Sequence, residues 1–232
     1  MSLLSRVMRA LEKHAPLSLA ETSWDNVGLL VEPPYPRISA SRVFLTIDLT
    51  PTVLEEALTD SKVGVIVSYH PPIFKPFNRL NMDDVKQAIL MKCIAKGVGI
   101  ISPHTAMDSC IGGINDWLAK GLGGKGICVP ITPAKNPPEG QEHAGLGRLF
   151  TFDQPIHLLD VIKNIKNHLK LSLVRVAIAE KHKSISTNFI SKVGICAGSG
   201  SSVLKPVEAD LYFTGEMSHH DVLAALTKNT IN

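Results

Sequence analysis

Short apolar runs alternate with segments of helical periodicity along most of this chain, the pattern of an α/β protein. Strands are predicted at the apolar runs 27–31, 43–47, 63–67, 98–101, 149–152, 173–179, 193–196 and 210–213. Helices are predicted at 1–13, 51–60, 83–96, 112–120, 154–169 and from Ser218 onward. Strand and helix alternate over residues 43–101, which predicts two successive βαβ units with right-handed crossovers and a mainly parallel sheet.

The run 63–67 predicts a strand that is buried on both faces, and a histidine stands just beyond it. His70 is followed by Pro71 and Pro72, which cannot continue a strand because proline donates no backbone hydrogen bond. His70 therefore lies at the carboxyl end of a buried strand, where ligands usually bind in open α/β sheets.

A second histidine and a carboxylate, His104 and Asp108, follow the next predicted strand. The carboxyl ends of neighbouring parallel strands lie on one edge of a sheet, so we expect these residues to converge with His70. Imidazole and carboxylate ligands suit zinc, manganese or iron(II) better than calcium. The alternative is that each histidine only forms hydrogen bonds within the core, and the residues alone favour this alternative because no pair of histidines has the close helical spacing of a strong metal motif.

Composition narrows the classes of protein. The chain has 232 residues, of which 44% are hydrophobic and 19% charged, and a net charge of +3 without charged blocks, which argues against direct nucleic-acid binding. The four cysteines are widely spaced and suggest neither a zinc knuckle nor a disulfide framework. No apolar run approaches the roughly 20 residues that span a bilayer. We expect a soluble, cytoplasmic protein.

Three polar segments have simple structural explanations. Asp25 and Asn26 are expected to bond their own backbone in a turn. The glycine-rich segment 197–202 could present backbone amides to an anion, although a tight strand-to-helix turn needs the same glycines and is favoured. His219 and His220 are expected in the first turn of a helix, with side chains roughly 100° apart.

The proline-rich segment 130–147 is the best candidate for a linker. It predicts an N-terminal α/β lobe at 1–129 and a C-terminal α/β lobe at 148–232. The second lobe is expected to be truncated, because its last strand and helix lack a return strand.

Six segments of the chain resemble, in order, the hallmark segments of the Nif-three-like family. They are SWDNVGLLVE (23–32), IVSYHPPIF (66–74), SPHTAMD (102–108), NDWLAKGLG (115–123), CAGSGSSVL (196–204) and ADLYFTGEMSHHD (209–221). The resemblance implies two related α/β lobes with largely parallel sheets, a site for two divalent metal ions, and homodimers that assemble into a hexameric toroid. Bacterial relatives are described as GTP cyclohydrolase type-two-like.

The resemblance also implies metal ligands. His70 and Asp108 match ligand positions of the family, and His104 matches a neighbouring histidine. Bacterial members have another histidine at the position of Tyr69, and the tyrosine resembles animal members. A GHxxxE-like segment is expected beyond the end of this chain. A shortened isoform is therefore expected, with divalent zinc, manganese or iron either bound at the remaining ligands or absent.

Two functions follow from the resemblance. One is a metal-dependent hydrolase of unknown substrate. The other is a non-catalytic interaction protein in transcriptional corepression, with a transcription regulator or a COP-nine-signalosome subunit as partner and a nuclear as well as a cytoplasmic location.

Overall fold

The structure, a computed structural model, describes residues 1–182, 188–228 and 230–232. By its internal contacts the chain divides into two compact units, Met1–Met107 and Asp108–Asn232. Residues 108–129 thus belong to the second unit, whereas the division into folding domains at 129 and 147 stays a prediction. The predicted α/β class is confirmed, because helices and sheets alternate in both units. In the described part of the chain, no helix is long and apolar enough to cross a membrane.

Regular elements follow one another closely in both units. The first unit contains α1 (Leu3–His14), β1 (Gly28–Val31), β2 (Arg42–Thr46), α2 (Pro51–Thr59), β3 (Val63–Ser68), α3 (Val85–Ala95) and β4 (Gly99–Ser102). Helix α4 (His104–Ser109) includes the boundary. The second unit continues with α5 (Ile114–Lys120), β5 (Gly126–Val129), β6 (Thr132–Pro133), β7 (Gly145–Leu146), β8 (Arg148–His157), α6 (Leu158–Leu169), β9 (Phe189–Ser199), α7 (Ser201–Leu204), β10 (Leu211–Glu216) and α8 (His219–Thr227).

The sheet of the first unit has the strand order β1-β4-β3-β2. Strands β2, β3 and β4 run parallel, which confirms the two predicted βαβ units, and β1 pairs antiparallel with β4. Helix α1 packs against Val65, Val67 and Ile101 on one face. Residues of α2 and α3 cluster with Ile66 and Ile100 on the other, so the central strands are buried on both faces as predicted.

Local sequence signals begin two of the predicted helices. Thr50 is the N-cap of α2, where its hydroxyl accepts a hydrogen bond from the Val53 amide, and Pro51 occupies the first helical position. Ser218 caps α8 in the same way, accepting from the Asp221 amide. Both starts were predicted from these residues.

The sheet of the second unit has the order β10-β9-β8-β5, and its pairing is mixed. Strands β9 and β10 are parallel, while β8 is antiparallel to both of its neighbours. The segment 130–147, predicted as a linker, contains the short antiparallel pair β6 and β7. Arg148, buried at the start of β8, forms an ion pair with Asp116 and donates to the carbonyls of Gly145 and Gly147.

One predicted helix start and one predicted strand of this unit were wrong. The helix expected to start at residues 154–155 begins only at Leu158, because β8 continues to His157 and pairs there with β9. The segment 173–179, expected to be a strand, is irregular: Leu173 is exposed, Val174 packs against the core, and Ala177 exchanges backbone hydrogen bonds with Asn232 without forming a regular strand. The polar composition of residues 180–187 predicts a loop there, and residues 183–187 lie outside the described residues.

Candidate functional site

The two histidines predicted from separate strand ends lie side by side in the first unit. His70 follows β3 by two residues, and His104 is the first residue of α4, just beyond β4. Their ring centroids are 5.4 Å apart and the ring planes are nearly perpendicular, at 79°. The parallel sheet brings them together because β3 and β4 are adjacent strands that end on the same edge.

His70 is paired with a carboxylate at the surface. Its Nδ1 lies 2.8 Å from Oδ1 of Asp48, and the two side chains are 47% and 66% exposed. The backbone of His70 is fixed on both sides: its amide donates to the carbonyl of Ile47 at 3.0 Å, and its carbonyl accepts from the Ser68 hydroxyl at 2.7 Å. The loop is therefore well placed even though the dyad itself is open to water.

His104 is paired with a carboxylate in the interior. Its Nδ1 lies 2.7 Å from Oδ1 of Asp25, whose side chain is fully buried, while the His104 side chain is 16% exposed. The second carboxylate oxygen of Asp25 accepts from the hydroxyl of Thr105 at 2.5 Å and from its amide at 3.3 Å. Asp25 therefore binds both the imidazole and the first turn of α4.

The backbone of His104 is unusual for a residue with a side chain, because its φ is +24°. Such values cost about 1–3 kcal/mol and persist where the surroundings over-determine the conformation. The two contacts from Asp25 provide that constraint, one on the His104 ring and one on Thr105.

Asp25 is ionised more readily than an ordinary aspartate. Burial by itself raises the pKa of its carboxyl, but hydrogen bonds from Thr105 and His104, the charge of His104 and the Asn26 amide together outweigh burial and lower the pKa. The carboxylate is thus the stable form beside His104.

The prediction that Asp25 and Asn26 serve mainly their own backbone was wrong. One local bond does form, from the Asn26 amide to Oδ1 of Asp25 at 2.8 Å. The other contacts are distant in sequence: Asp25 binds His104 and Thr105, and Nδ2 of Asn26 donates to the carbonyl of Ile73 at 2.6 Å.

Aromatic rings surround the histidine pair. Tyr69 lies with its ring centroid 4.9 Å from that of His70 and 5.4 Å from that of His104. The ring centroid of Trp24 lies 6.1 Å from that of His104, in an edge-on arrangement. Phe74 packs in turn against Trp24, with ring centroids 6.2 Å apart. These rings restrict the positions that the imidazoles can adopt.

Each carboxylate determines which ring nitrogen of its histidine is free to act. A carboxylate can only accept, so Nδ1 of a neutral His70 or His104 carries the proton and Nε2 carries the lone pair. This tautomer assignment follows from the hydrogen-bond network. Metal-binding histidines are held in the same way, with the second nitrogen donating to a carboxylate or carbonyl.

The ring separation fits a shared metal ion. A ring nitrogen lies about 2.0–2.1 Å from zinc and the ring centroid about 1.1 Å farther, so two imidazoles on one tetrahedral ion have centroids about 5 Å apart. The observed separation is 5.4 Å. Within residues 1–182, 188–228 and 230–232, no group of three or more His, Cys, Asp or Glu side chains is arranged to hold a metal ion. The pair thus offers two ligands, and water or substrate would supply others.

Asp108 lies in α4 and is the first residue of the second unit. Its carbonyl accepts from Nδ2 of Asn115 at 3.0 Å, and Oδ1 of Asn115 accepts from the Ala197 amide at 2.8 Å. Burial, and after it the charge of Asp108, raises the pKa of the Cys196 thiol to about 11. That His70 and Asp108 share an ion stays a prediction.

The glycine-rich segment 197–202 and the histidine pair His219 and His220 occupy the predicted positions in the second unit. After β9, Gly198 has a φ of +63°, and the amide of Gly200 donates to the hydroxyl of Thr214. Helix α7 has only four residues, in line with the favoured tight turn. His219 and His220 begin α8 as predicted, with ring centroids 5.6 Å apart.

Sequence reasoning missed the two carboxylates that hold the histidines. Asp48 follows β2 by two residues, so the strand-end rule that indicated His70 also applied to it. Asp25 follows no strand and is 79 residues from His104, and no local pattern marks it.

Known proteins of one family match this chain over nearly its whole length. The family model described as Duf34/NIF3 (NGG1p interacting factor 3) matches residues 2–231. A NIF3 homolog of Schizosaccharomyces pombe is 43% identical over 225 residues, covering 97% of this chain and 79% of the relative. The NGG1-interacting factor 3 of Saccharomyces cerevisiae is 38% identical, covering 95% of this chain and 80% of the relative.

The fold is also that of a solved structure. Protein SA1388 of Staphylococcus aureus superposes with a TM-score of 0.76 at 26% identity, covering 98% of this chain and 84% of that chain. Sequence and fold therefore agree, and the chain belongs to the Duf34/NIF3 (NGG1p interacting factor 3) family.

Proposed function

We propose that His70 and His104 bind a divalent transition-metal ion, zinc, manganese or iron(II), and that the protein is a metal-dependent hydrolase. The observation that carries the proposal is the pair of imidazoles, 5.4 Å apart, each with Nδ1 held by a carboxylate. Nitrogen ligands of this kind suit these metals, and carboxylate partners strengthen them as ligands.

The residues of the chain would divide the work. His70 and His104 would bind through Nε2, and Asp48 and Asp25 would keep Nδ1 protonated and the rings oriented. A bound divalent ion would act as a Lewis acid on a substrate oxygen and make water a better nucleophile near neutral pH. Tyr69, a neutral phenol beside both rings, is a poor ligand and would serve to position them.

Metal content tests this proposal directly. Wild type, His70→Ala, His104→Ala and the double variant would be loaded separately with zinc, manganese and iron(II), dialysed and measured by mass spectrometry, with folding checked by circular dichroism. His143→Ala, at an exposed histidine of the second unit, is the matched control. We expect metal in wild type and control and its loss from the other three. Equal metal in all five folded proteins would contradict the proposal.

The second candidate is a non-catalytic interaction protein acting in transcription. One observation favours it: the yeast relative is named for its interaction with NGG1. The test is co-purification of an NGG1-type partner with wild type and with the His70→Ala/His104→Ala variant. Equal capture by both supports this function, and no capture by folded wild type excludes it for that partner.

A further inference from the structure

We propose that Asp25 and Asn26 are positioning residues, and that Asp25, oriented by Thr105, selects the tautomer of His104 that leaves Nε2 free to bind a ligand. The proposal rests on the proposed function only for what Nε2 binds. The tautomer and the geometry concern this chain by itself.

The first step concerns the groups that donate hydrogen bonds to the carboxylate of Asp25. Its Oδ1 faces Nδ1 of His104 at 2.7 Å and accepts from the Asn26 amide at 2.8 Å, and its Oδ2 accepts from the Thr105 hydroxyl at 2.5 Å and from the Thr105 amide at 3.3 Å. The Thr105 hydroxyl itself accepts from the Glu21 amide at 3.0 Å, so its own proton is left to donate to Asp25. The Thr105 hydroxyl is thus a hydrogen-bond donor to the side chain of residue 25.

The second step follows for an asparagine in place of Asp25. The Thr105 hydroxyl and amide both donate to Oδ2, whereas Oδ1 accepts from one backbone amide, that of Asn26, so we expect the asparagine carbonyl oxygen to face Thr105 and its NH₂ group to face His104. That NH₂ would donate to Nδ1 and move the imidazole proton to Nε2. An equivalent aspartate-to-asparagine change in the serine-protease triad leaves the geometry intact but gives the wrong tautomer.

The third step concerns Asp48, which provides a natural contrast. Asp48 holds His70 at a similar distance, 2.8 Å, but its side chain is 66% exposed. An asparagine there can rotate to present its carbonyl oxygen to Nδ1 while water solvates its NH₂ group. His70 should keep its tautomer after Asp48→Asn, whereas His104 should lose its tautomer after Asp25→Asn.

The fourth step links the same segment to the loop of His70. Nδ2 of Asn26 donates to the carbonyl of Ile73, three residues beyond His70, at 2.6 Å. Adjacent residues of one segment therefore bind the chain that follows each histidine. Asn26 should set the spacing between the two loops without affecting either tautomer.

Nitrogen-15 NMR of the imidazole rings tests the proposal in the metal-free full-length chain. Spectra of wild type, Asp25→Asn, Asp48→Asn and Asn26→Ala would be recorded at about pH 8, above the ordinary imidazole pKa of about 6.5. Ser23→Ala is the matched control, since Ser23 is exposed, stands two residues before Asp25, and donates its hydroxyl to Glu21. We expect the Nε2–H form of His104 in Asp25→Asn alone. An unchanged His104 tautomer in folded Asp25→Asn would overturn the proposal.

Zinc affinity measures the consequence separately. We expect Asp25→Asn to weaken binding by about 10–100-fold, the usual effect of losing a supporting carboxylate, and Asp48→Asn and Asn26→Ala to weaken it less. A changed His104 tautomer in Asp25→Asn, together with a wild type that binds no zinc, would refute the metal site and leave the positioning role intact. Equal affinity in wild type and Asp25→Asn would refute the effect on ligand binding.

If Asp25→Asn does not fold, Thr105→Val with Asp25 retained should keep the wild-type tautomer, and a changed tautomer there would count against carboxylate control.

Discussion

The two histidine-carboxylate pairs of the first unit have nearly the same length but very different surroundings. His104 and Asp25 are 2.7 Å apart with side chains 16% and 0% exposed, while His70 and Asp48 are 2.8 Å apart with side chains 47% and 66% exposed. In the interior each donor left unpaired costs its full desolvation energy, whereas at the surface water replaces a lost partner. The bond between His104 and Asp25 should therefore contribute more to folding stability than the bond between His70 and Asp48.

The buried pair belongs to a wider hydrogen-bond network. The backbone of His70, in the exposed pair, is held without help from its carboxylate partner. Asp25 joins His104, Thr105 and Asn26, and the strained backbone of His104 depends on it. The main chain of His70 is held instead by the Ile47 carbonyl and the Ser68 hydroxyl. We expect mutations to affect the two pairs unequally.

The largest difference is expected on removing each carboxylate. Asp25→Ala leaves the His104 ring and both Thr105 donors without their buried acceptor, and should lower the free energy of unfolding by about 2–4 kcal/mol. Asp48→Ala should change it by less than about 1 kcal/mol, because the pair is exposed. Urea denaturation of both variants and wild type measures the difference. Equal losses would show that burial does not distinguish the pairs.

A smaller difference is expected at the neighbouring threonines. Thr105→Val removes a donor to Asp25 and the acceptor of the Glu21 amide, and should cost about 1–3 kcal/mol. Thr46→Val, beside the exposed pair, removes a bond to the Asp48 carbonyl and should cost about 0.5–1.5 kcal/mol. The thermal midpoints of the two variants give the order, and a larger drop for Thr46→Val would contradict it.

The smallest effect is expected in acid. Because the pKa of folded Asp25 lies below the ordinary 3.8, its carboxylate contributes stability above that value, and the contribution is lost as pH falls through the folded-state pKa. Wild type and Asp48→Asn should therefore lose stability more steeply below about pH 4 than Asp25→Asn does. Urea midpoints measured from pH 5 downward give the slopes. Parallel slopes for all three proteins would mean that Asp25 does not titrate abnormally.

Local rules were reliable where the cause of a structure lies within a few residues. Thr50 with Pro51 began α2, and Pro71 and Pro72 follow the end of β3 at the predicted place. They failed where pairing with a distant strand decided the outcome. β8 continues through Pro155 because Ile156 and His157 pair with Ile190 and Phe189 of β9, which no pattern near residue 155 reveals.

The sequence by itself determined the α/β class, the buried strands β3 and β4, and the placement of His70 and His104 at their ends, since periodicity and proline act over short distances. Only the tertiary structure decided which groups complete the pair. Asp25 reaches His104 across 79 residues and Asp48 reaches His70 across 22, because packing of the sheet, and not any spacing along the chain, sets those distances. The difference in burial between the two pairs likewise exists only once the chain is folded.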